Sequence, residues 1–477
     1  MKLQQRWVSR LAKTLSAVSL LLLGAAASTA DSGVAEGPPP PSIEAGPELW
    51  IDGPDAVQPG SQRGLPDVAV DNDGRRIHVW WASGGTFEGQ EIFLRRFDAQ
   101  GNPLEDPKMV NTTTDNHQRE SRVAVSADGS FLVIFDSDEF HPVDMILRDV
   151  LRSQAYNANG DPVGSEQLLS AAPLPGLYDL DPDVAALRTA DGTAGGYAVV
   201  WGSLASSGTD TWLGIEACLV SATGVPSPQF QVPSDPSGYQ LSPSVTELAD
   251  GGFLVTWVET GQLWGRRFNA AGGPVGNDFV ISTSFVSQKL NNDAAIGWDG
   301  RVIVVWAEQE DNGGLREIYA RLFDADLNPL GPDFRVNTLL DDDQWDPRVA
   351  DYGPKGFLVV WVSDVPSGND PQTSVEARVV SGVDDLGNPE FGGPQTQLNL
   401  WTEDGQTAPG AHGWYGRAAT DWRSAIWDGE PPPDFIIDDK IIGRNEEHCM
   451  FCDDFEWFHP GSPGSLWRWT STVGLVP

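Results

Sequence analysis

Short runs of alternating or continuous apolar residues recur along the chain, each bounded by Gly, Pro, Asp or Asn. No helical spacing of apolar positions is sustained, so the pattern predicts strands joined by tight turns. The plainest recurring run ends in an aromatic. It reads His78-Val79-Trp80-Trp81, Leu132-Val133-Ile134-Phe135, Ala198-Val199-Val200-Trp201, Leu254-Val255-Thr256-Trp257, Ile303-Val304-Val305-Trp306, Leu358-Val359-Val360-Trp361 and Ser424-Ala425-Ile426-Trp427. The final aromatics stand 54, 66, 56, 49, 55 and 66 residues apart. A self-similar period of that length is the mark of a repeat architecture.

Each copy predicts four strands. A short first strand (Pro66–Val70, Ser121–Val125, Pro347–Ala350) is followed by an Asp-Gly turn (Asp73-Gly74, Asp128-Gly129, Asp191-Gly192, Asp250-Gly251, Asp299-Gly300) and then by the aromatic-ended second strand. Asp-Gly between apolar runs signals a hairpin, because both residues tolerate φ > 0. A third strand (Ile92–Phe97, Ile318–Phe323), a Gly/Pro turn and a fourth strand (Met109–Asn111, Phe334–Asn337) complete the unit. The last copy offers Arg417–Thr420, the run to Trp427, and Phe435–Ile442 as third strand, with no fourth after it. An unmatched strand, Pro47–Asp52, precedes the first copy, so the N-terminus is expected to complete the last unit. Four antiparallel strands per repeat, closed radially, make an all-β, seven-bladed β-propeller whose N-terminal strand closes the last blade.

The repeat resembles those of bacterial exported seven-bladed β-propeller proteins, through Asp250–Trp257 with Arg266-Arg267-Phe268-Asn269, and through Arg321–Asp324 with Phe334–Thr338. The resemblance spans about residues 47–444 and implies fold and export rather than chemistry. Residues 445–477 resemble a short C-terminal segment of some exported bacterial proteins, on Cys449-Met-Phe-Cys452, Asp453-Asp454-Phe455-Glu456 and a later Trp.

The two chain ends add an address. Lys2, Arg6, Arg10 and Lys13 precede an apolar stretch, Leu15–Ala27, that is too short to anchor in a bilayer, and Ser28-Thr29-Ala30 offers small residues for cleavage. Residues 1–30 read as a signal peptide and 31–46 as a Pro-rich linker, leaving 47–444 as the propeller and 445–477 as a tail. The expected location is extracellular, cell surface or periplasm. No later segment is apolar enough to span a membrane. Cys218 sits within a strand-like run and reads as a buried thiol, whereas Cys449 and Cys452 could form a small-loop disulfide, half a zinc site or a redox pair.

Composition narrows the partners. Of 477 residues, 68 are Asp or Glu and 30 Lys or Arg, for a net charge of −38 that becomes −42 once the four basic residues of the signal peptide are removed. That charge excludes nucleic-acid and anionic-lipid binding. It falls in the loops and reads as solubility.

Candidate chemistry is sparse. The end of the propeller that carries second-to-third-strand loops and blade-to-blade links varies in length, from Val258–Leu263 to Val362–Ser374, and variable loops on a fixed scaffold are where binding sites usually lie. Trp345, Trp401, Trp414 and Trp212, with His141, are the candidate ligand-binding residues there, as platforms for sugar or peptide. Asp341, Asp342 and Asp343 are a candidate Ca2+ cluster, while Asp71-Asn72-Asp73-Gly74 is followed by Arg75 and Arg76 and reads as a turn. Asn111-Thr112-Thr113 matches a glycosylation sequon but reads as turn chemistry, because Asn337-Thr338 repeats it. No sialidase-type Asp-box, Walker loop, HExxH or GxSxG is present. The leading expectation is an exported, monomeric, non-catalytic binding module for protein or glycan without a certain cofactor. The alternative is a secreted hydrolase of carbohydrate or peptide with its site at the variable-loop mouth. A buried carboxylate pair with Arg or Tyr in the central channel would favour the enzyme, and an open, water-filled channel without convergent polar groups the binding module.

Overall fold

The computed structural model describes residues 49–50, 62–83, 89–141, 146–170, 181–189, 191–204, 213–235, 237–284, 288–309, 314–340, 343–365, 372–398, 407–412, 422–429 and 465–472. Among them the strands form seven antiparallel sheets and no α-helix. After β1 (Leu49–Trp50), the first sheet holds β2 (Gln62–Val70), β3 (Arg76–Ser83), β4 (Gln90–Phe97) and β5 (Lys108–Met109). The second holds β6 (Gln118–Val125), β7 (Phe131–His141), β8 (Ile146–Tyr156) and β9 (Pro162–Leu168). The third holds β10 (Asp183–Arg188), β11 (Ala194–Leu204), β12 (Leu213–Val220) and β13 (Phe230–Gln231). The fourth holds β14 (Gln240–Glu247), β15 (Phe253–Glu259), β16 (Gln262–Phe268) and β17 (Pro274–Val280). The fifth holds β18 (Gln288–Ile296), β19 (Val302–Gln309), β20 (Arg316–Phe323) and β21 (Phe334–Arg335).

In the sixth sheet, β22 (Gln344–Asp351), β23 (Phe357–Val365) and β24 (Gln372–Val383) are followed by two short strands, β25 (Pro389–Phe391) and β26 (Thr396–Gln397), that both pair with β24. The seventh holds β27 (Thr407–His412), β28 (Trp422–Gly429) and β29 (Ser465–Thr472), with β1 added to β29. First strands neighbour one another in order from β2 to β22, β27 lies against β22, and β27 also lies against β2. This is the β-propeller arrangement.

The N-terminal strand therefore joins the last sheet as the sequence predicts, but its partner differs. The third strand there is Ser465–Thr472, from the tail expected to stand outside the repeat, and Phe435–Ile442 lies outside the described residues.

The hairpin turns keep the predicted residues for a different reason. Gly74, Gly129, Gly192, Gly251 and Gly300 have φ of 77°, 81°, 79°, 80° and 83°, while the Asp before each keeps negative φ. Gly74 N–H donates to Asp71 O at 3.0 Å and Asp71 N–H to Arg75 O at 2.9 Å. The turn is a type I turn closed by one left-handed residue, which glycine adopts without steric penalty. Asp71 accepts from the backbone N–H of Asp73 and Arg75 and from the Arg75 guanidinium, so its oxygens serve the turn.

Apolar clusters fill the seams between consecutive sheets. Trp201, Trp257, Trp306 and Trp361 are fully buried, each packed towards the preceding sheet, and Phe135 does the same in the second. In the first sheet the equivalent residue is Trp80 rather than Trp81. Trp80 pairs with Phe93 and faces away from the second sheet, whereas Trp81 packs into the seam with it. Cys218 is a buried free thiol, and burial pushes it up to about 12.

The Asn111 side chain accepts from Ile92 N–H at 2.8 Å and donates to Glu91 and to Thr113 O. Asn337 repeats this with Ile318 N–H at 2.9 Å, Glu317 and Leu339 O. Both asparagines are buried, which removes the sequon reading. Ser170 and Ser282 take the same acceptor role in their sheets, toward Leu151 and Leu263 N–H. Asn337→Ala, which leaves Ile318 N–H unpaired, is expected to lower unfolding free energy by about 1–3 kcal/mol, and Asn337→Ser to recover part of it. Urea midpoints check this, and an unchanged midpoint in the alanine variant would refute it.

Candidate functional site

The first strand of a sheet faces the centre of the propeller, so its polar side chains meet there. In each of the first six sheets one residue occupies equivalent register: Asp67 opposite Val79, Arg122 opposite Ile134, Asp183 opposite Val200, Ser244 opposite Thr256, Asp293 opposite Val305 and Arg348 opposite Val360. These six line one cavity of about 210 Å3. The five charged residues are half-buried, so solvent reaches them.

A register shift precedes the polar residue in the first, second, fourth, fifth and sixth sheets. Within these kinks Glu120, Ser242, Asn291 and Asp346 have φ of 50°, 48°, 35° and 50°, and Asp181 has 40° at the same place in the third sheet. Non-glycine residues in this region carry local strain, which is often found at functional sites. The bulge turns the following side chain toward the channel.

Around the ring the residues run Asp, Arg, Asp, Ser, Asp and Arg, and the aspartates bind sheets in pairs. Asp67 Oδ2 accepts from Val123 N–H, Asp183 Oδ2 from Val245 N–H and Asp293 Oδ2 from Val349 N–H, each at 2.8 Å. Each carboxylate thus belongs to an odd-numbered sheet and holds the first strand of the next. Asp293 Oδ1 also takes Ala294 N–H at 2.9 Å and the Ser244 hydroxyl at 3.3 Å. Arg348 lies 3.3 Å from Asp346 and donates to Pro347 O at 3.2 Å, while Arg122 donates to Ser121 O at 3.2 Å.

Desolvation decides the protonation here. Burial pushes Asp293 up to about 7 against the opposing pull of Arg348, and it raises Asp67 and Asp183 as well. Burial alone would lower Arg348, but Asp346 and Asp293 outweigh it and hold the guanidinium above its ordinary range. A carboxyl poised near 7 can hold a proton at neutral pH and give it up in a reaction, while other carboxylates and guanidinium groups stand in the same cavity.

Of the residues singled out from sequence, Trp345 and Asp343 are not among those lining the cavity. Trp345 is buried, its indole N–H points to Asp364 at 3.4 Å, and the Arg316 guanidinium lies 5.7 Å over its ring. Asp343 accepts from Arg316 N–H at 2.6 Å and from the Arg316 side chain at 2.8 Å, so both its oxygens are taken. His141 ends β7, and its side chain lies outside the described residues, as do Trp212, Trp401, Trp414, Asp341, Asp342, Cys449 and Cys452. The charged ring was missed, although its signal is present: Pro66-Asp67-Val68, Ser121-Arg122-Val123 and Pro347-Arg348-Val349 repeat a charge at one fixed point of an apolar strand.

No protein-family profile matches the chain, and no curated protein does. Solved structures of similar fold include an α-L-arabinanase of Penicillium chrysogenum (14% identity, 70% of this chain and 98% of that one, TM-score 0.45). An α-L-arabinofuranosidase of Fusarium graminearum (11%, 90% and 98%, TM-score 0.44) and a protein of unknown function from Dyadobacter fermentans (13%, 69% and 97%, TM-score 0.44) are others. At such identities the likeness concerns the β-propeller fold, and no catalytic residue is carried across.

The non-catalytic reading is corrected here. The enzymes named among these structures are an arabinanase and an arabinofuranosidase, with a sialidase of Streptococcus pneumoniae as a further one, and those names describe those proteins alone. The weight, however, lies on the channel. It holds convergent carboxylates with two arginines, which is the arrangement expected of the enzyme reading and not of an open binding channel.

Proposed function

We propose that the protein is a carbohydrate hydrolase with its site in the central channel. The observation that supports this reading is the convergence of Asp67, Asp183 and Asp293 with Arg122 and Arg348 on one solvent-reached cavity, with Asp293 poised near 7. Glycoside hydrolysis needs one carboxyl group to protonate the leaving oxygen and a second carboxylate to attack or to activate water. Asp293 takes the first role, giving its proton to the departing sugar oxygen as the glycosidic C–O bond breaks. Asp183 or Asp67 takes the second, and the arginines oppose the effect of burial on these carboxylates and orient sugar hydroxyls. A glycan is the partner on this reading. The basic and apolar N-terminus supports export, where such substrates are met.

Release of reducing ends from a panel of neutral and acidic polysaccharides and aryl glycosides tests this. Asp293→Asn is expected to lower kcat by about 10²–10⁴-fold on the best substrate while circular dichroism stays unchanged, and to remove a pH limb near 7. No hydrolysis across the panel, or full activity in the asparagine variant, would overturn the assignment.

A further inference from the structure

A cluster of buried carboxylates lies away from the channel ring, in the second sheet. Asp136 and Asp138 stand on β7, and Asp149 on β8 pairs directly with Asp138. Alternation along the strands puts all three on one face of the sheet. They are 2%, 7% and 2% exposed, and one carboxylate oxygen from each lies within 4.8 Å of the others. Arg119, in register with Asp136, reaches Asp138 Oδ1 at 2.9 Å and Asp136 Oδ2 at 4.0 Å. Glu120, in the adjoining bulge, adds a fourth carboxylate felt by Asp136 and Asp149.

Three buried carboxylates with a half-buried fourth, against one guanidinium among the described residues, leave a negative excess largely out of water, which is unfavourable unless something positive enters. A second observation points the same way. Asp136 Oδ1 and Asp149 Oδ2 are buried without a hydrogen-bond partner, whereas the channel carboxylates Asp67, Asp183 and Asp293 each accept backbone N–H groups. The guanidinium therefore does not finish the site.

We propose that Asp136, Asp138 and Asp149, with Glu120 beside them, bind one calcium ion that staples β7 to β8 and the start of β6. All the donors are oxygens, which selects a hard cation. Calcium bonds oxygen at about 2.3–2.6 Å and accepts irregular sets of about six to eight oxygens, so carboxylate oxygens gathered within 4.8 Å can close on one ion. Magnesium, at about 2.0–2.1 Å, demands near-ideal octahedral geometry. The ion is structural and independent of hydrolysis in the channel.

Calorimetric titration of the EDTA-stripped full chain with calcium chloride tests this. One equivalent is expected to bind and to raise the melting temperature. Asp136→Asn and Asp149→Asn should each weaken that binding at least tenfold and abolish the rise, and both should melt no lower than the stripped wild type, because each removes a buried negative charge. If a variant fails to fold, the wild type alone suffices: the stripped chain should take up one equivalent of calcium and melt higher with it. Absence of calcium binding, or equal binding in both variants, would overturn the proposal.

Discussion

A chain ended at residue 464 is expected to lose most of its stability. Removing Ser465–Thr472 takes away the strand between β28 and β1, and with it the only partner of β1 among the described residues. The β28–β29 register runs from Trp422↔Thr472 to Gly429↔Ser465, eight positions. About half of the backbone groups on each strand point to the other, so roughly eight hydrogen bonds are lost at about 0.5–1.5 kcal/mol each. The sum is about 4–12 kcal/mol, comparable to the whole unfolding free energy of an ordinary protein, about 5–15 kcal/mol. The loss also spreads, because β27 lies against β22 and β2, so two further sheets are left with an unsupported neighbour. Urea denaturation followed by Trp fluorescence should show a midpoint shifted far down, or no cooperative transition, and a peptide of residues 461–477 added in trans should restore part of it. A shortened chain that unfolds like the full one would return the third-strand role to Phe435–Ile442.

That example shows where sequence reasoning reaches its limit. Phe435–Ile442 is a denser run of β-favouring residues than Ser465–Thr472, and strand propensity alone prefers it. What decides pairing is the edge left free by β28 and β1, a tertiary condition that no local pattern carries. The turns were legible because glycine at positive φ has a local cause, and the buried tryptophans because apolar period and repeat spacing agree. Trp80 against Trp81 was not, since two adjacent aromatics point to opposite faces and only the register with β4 says which seam each enters. The channel was hidden for a related reason. A lone Asp or Arg in an apolar strand looks like an edge residue, and its meaning appears only when six sheets bring Asp67, Arg122, Asp183, Ser244, Asp293 and Arg348 to one cavity. The calcium cluster needs Asp149 brought across from β8, thirteen residues after Asp136, by a hairpin whose register the sequence does not fix.

Stability is expected to fall as the pH rises from about 5 to about 8, the reverse of what paired surface carboxylates give. The sign follows from linkage. Asp293 is raised from 3.8 to about 7 by burial, so between those values the folded chain binds a proton that the unfolded chain has released. Below 3.8 both states are protonated and the group is neutral in effect; above 7 the folded state must ionise it where its half-buried position leaves it little water, at a loss of at most about 4 kcal/mol. Asp149, pushed up to about 8 by burial and by Asp138, extends the fall to higher pH, and Asp67, Asp136 and Asp183 act in the same direction. The turn carboxylates oppose them at the acid end. Asp98 and Asp324 are held below the usual range by backbone N–H groups and by Asn102 and Asn328, which outweigh their slight desolvation, so their contribution is present above about 4 and is lost as the pH falls further. Asp384 behaves alike through Asn388. The two sets place the optimum near pH 4–5, on the acid side of neutrality. Urea unfolding in EDTA at a series of pH values between 4 and 8.5 measures it, and Asp293→Asn, which cannot ionise, should flatten the slope below pH 7 and stand more stable than the wild type at pH 8. A wild-type profile that is level or rises over this range would show that water reaches Asp293 freely, and the proton it is proposed to donate in the channel would not be held there at neutral pH.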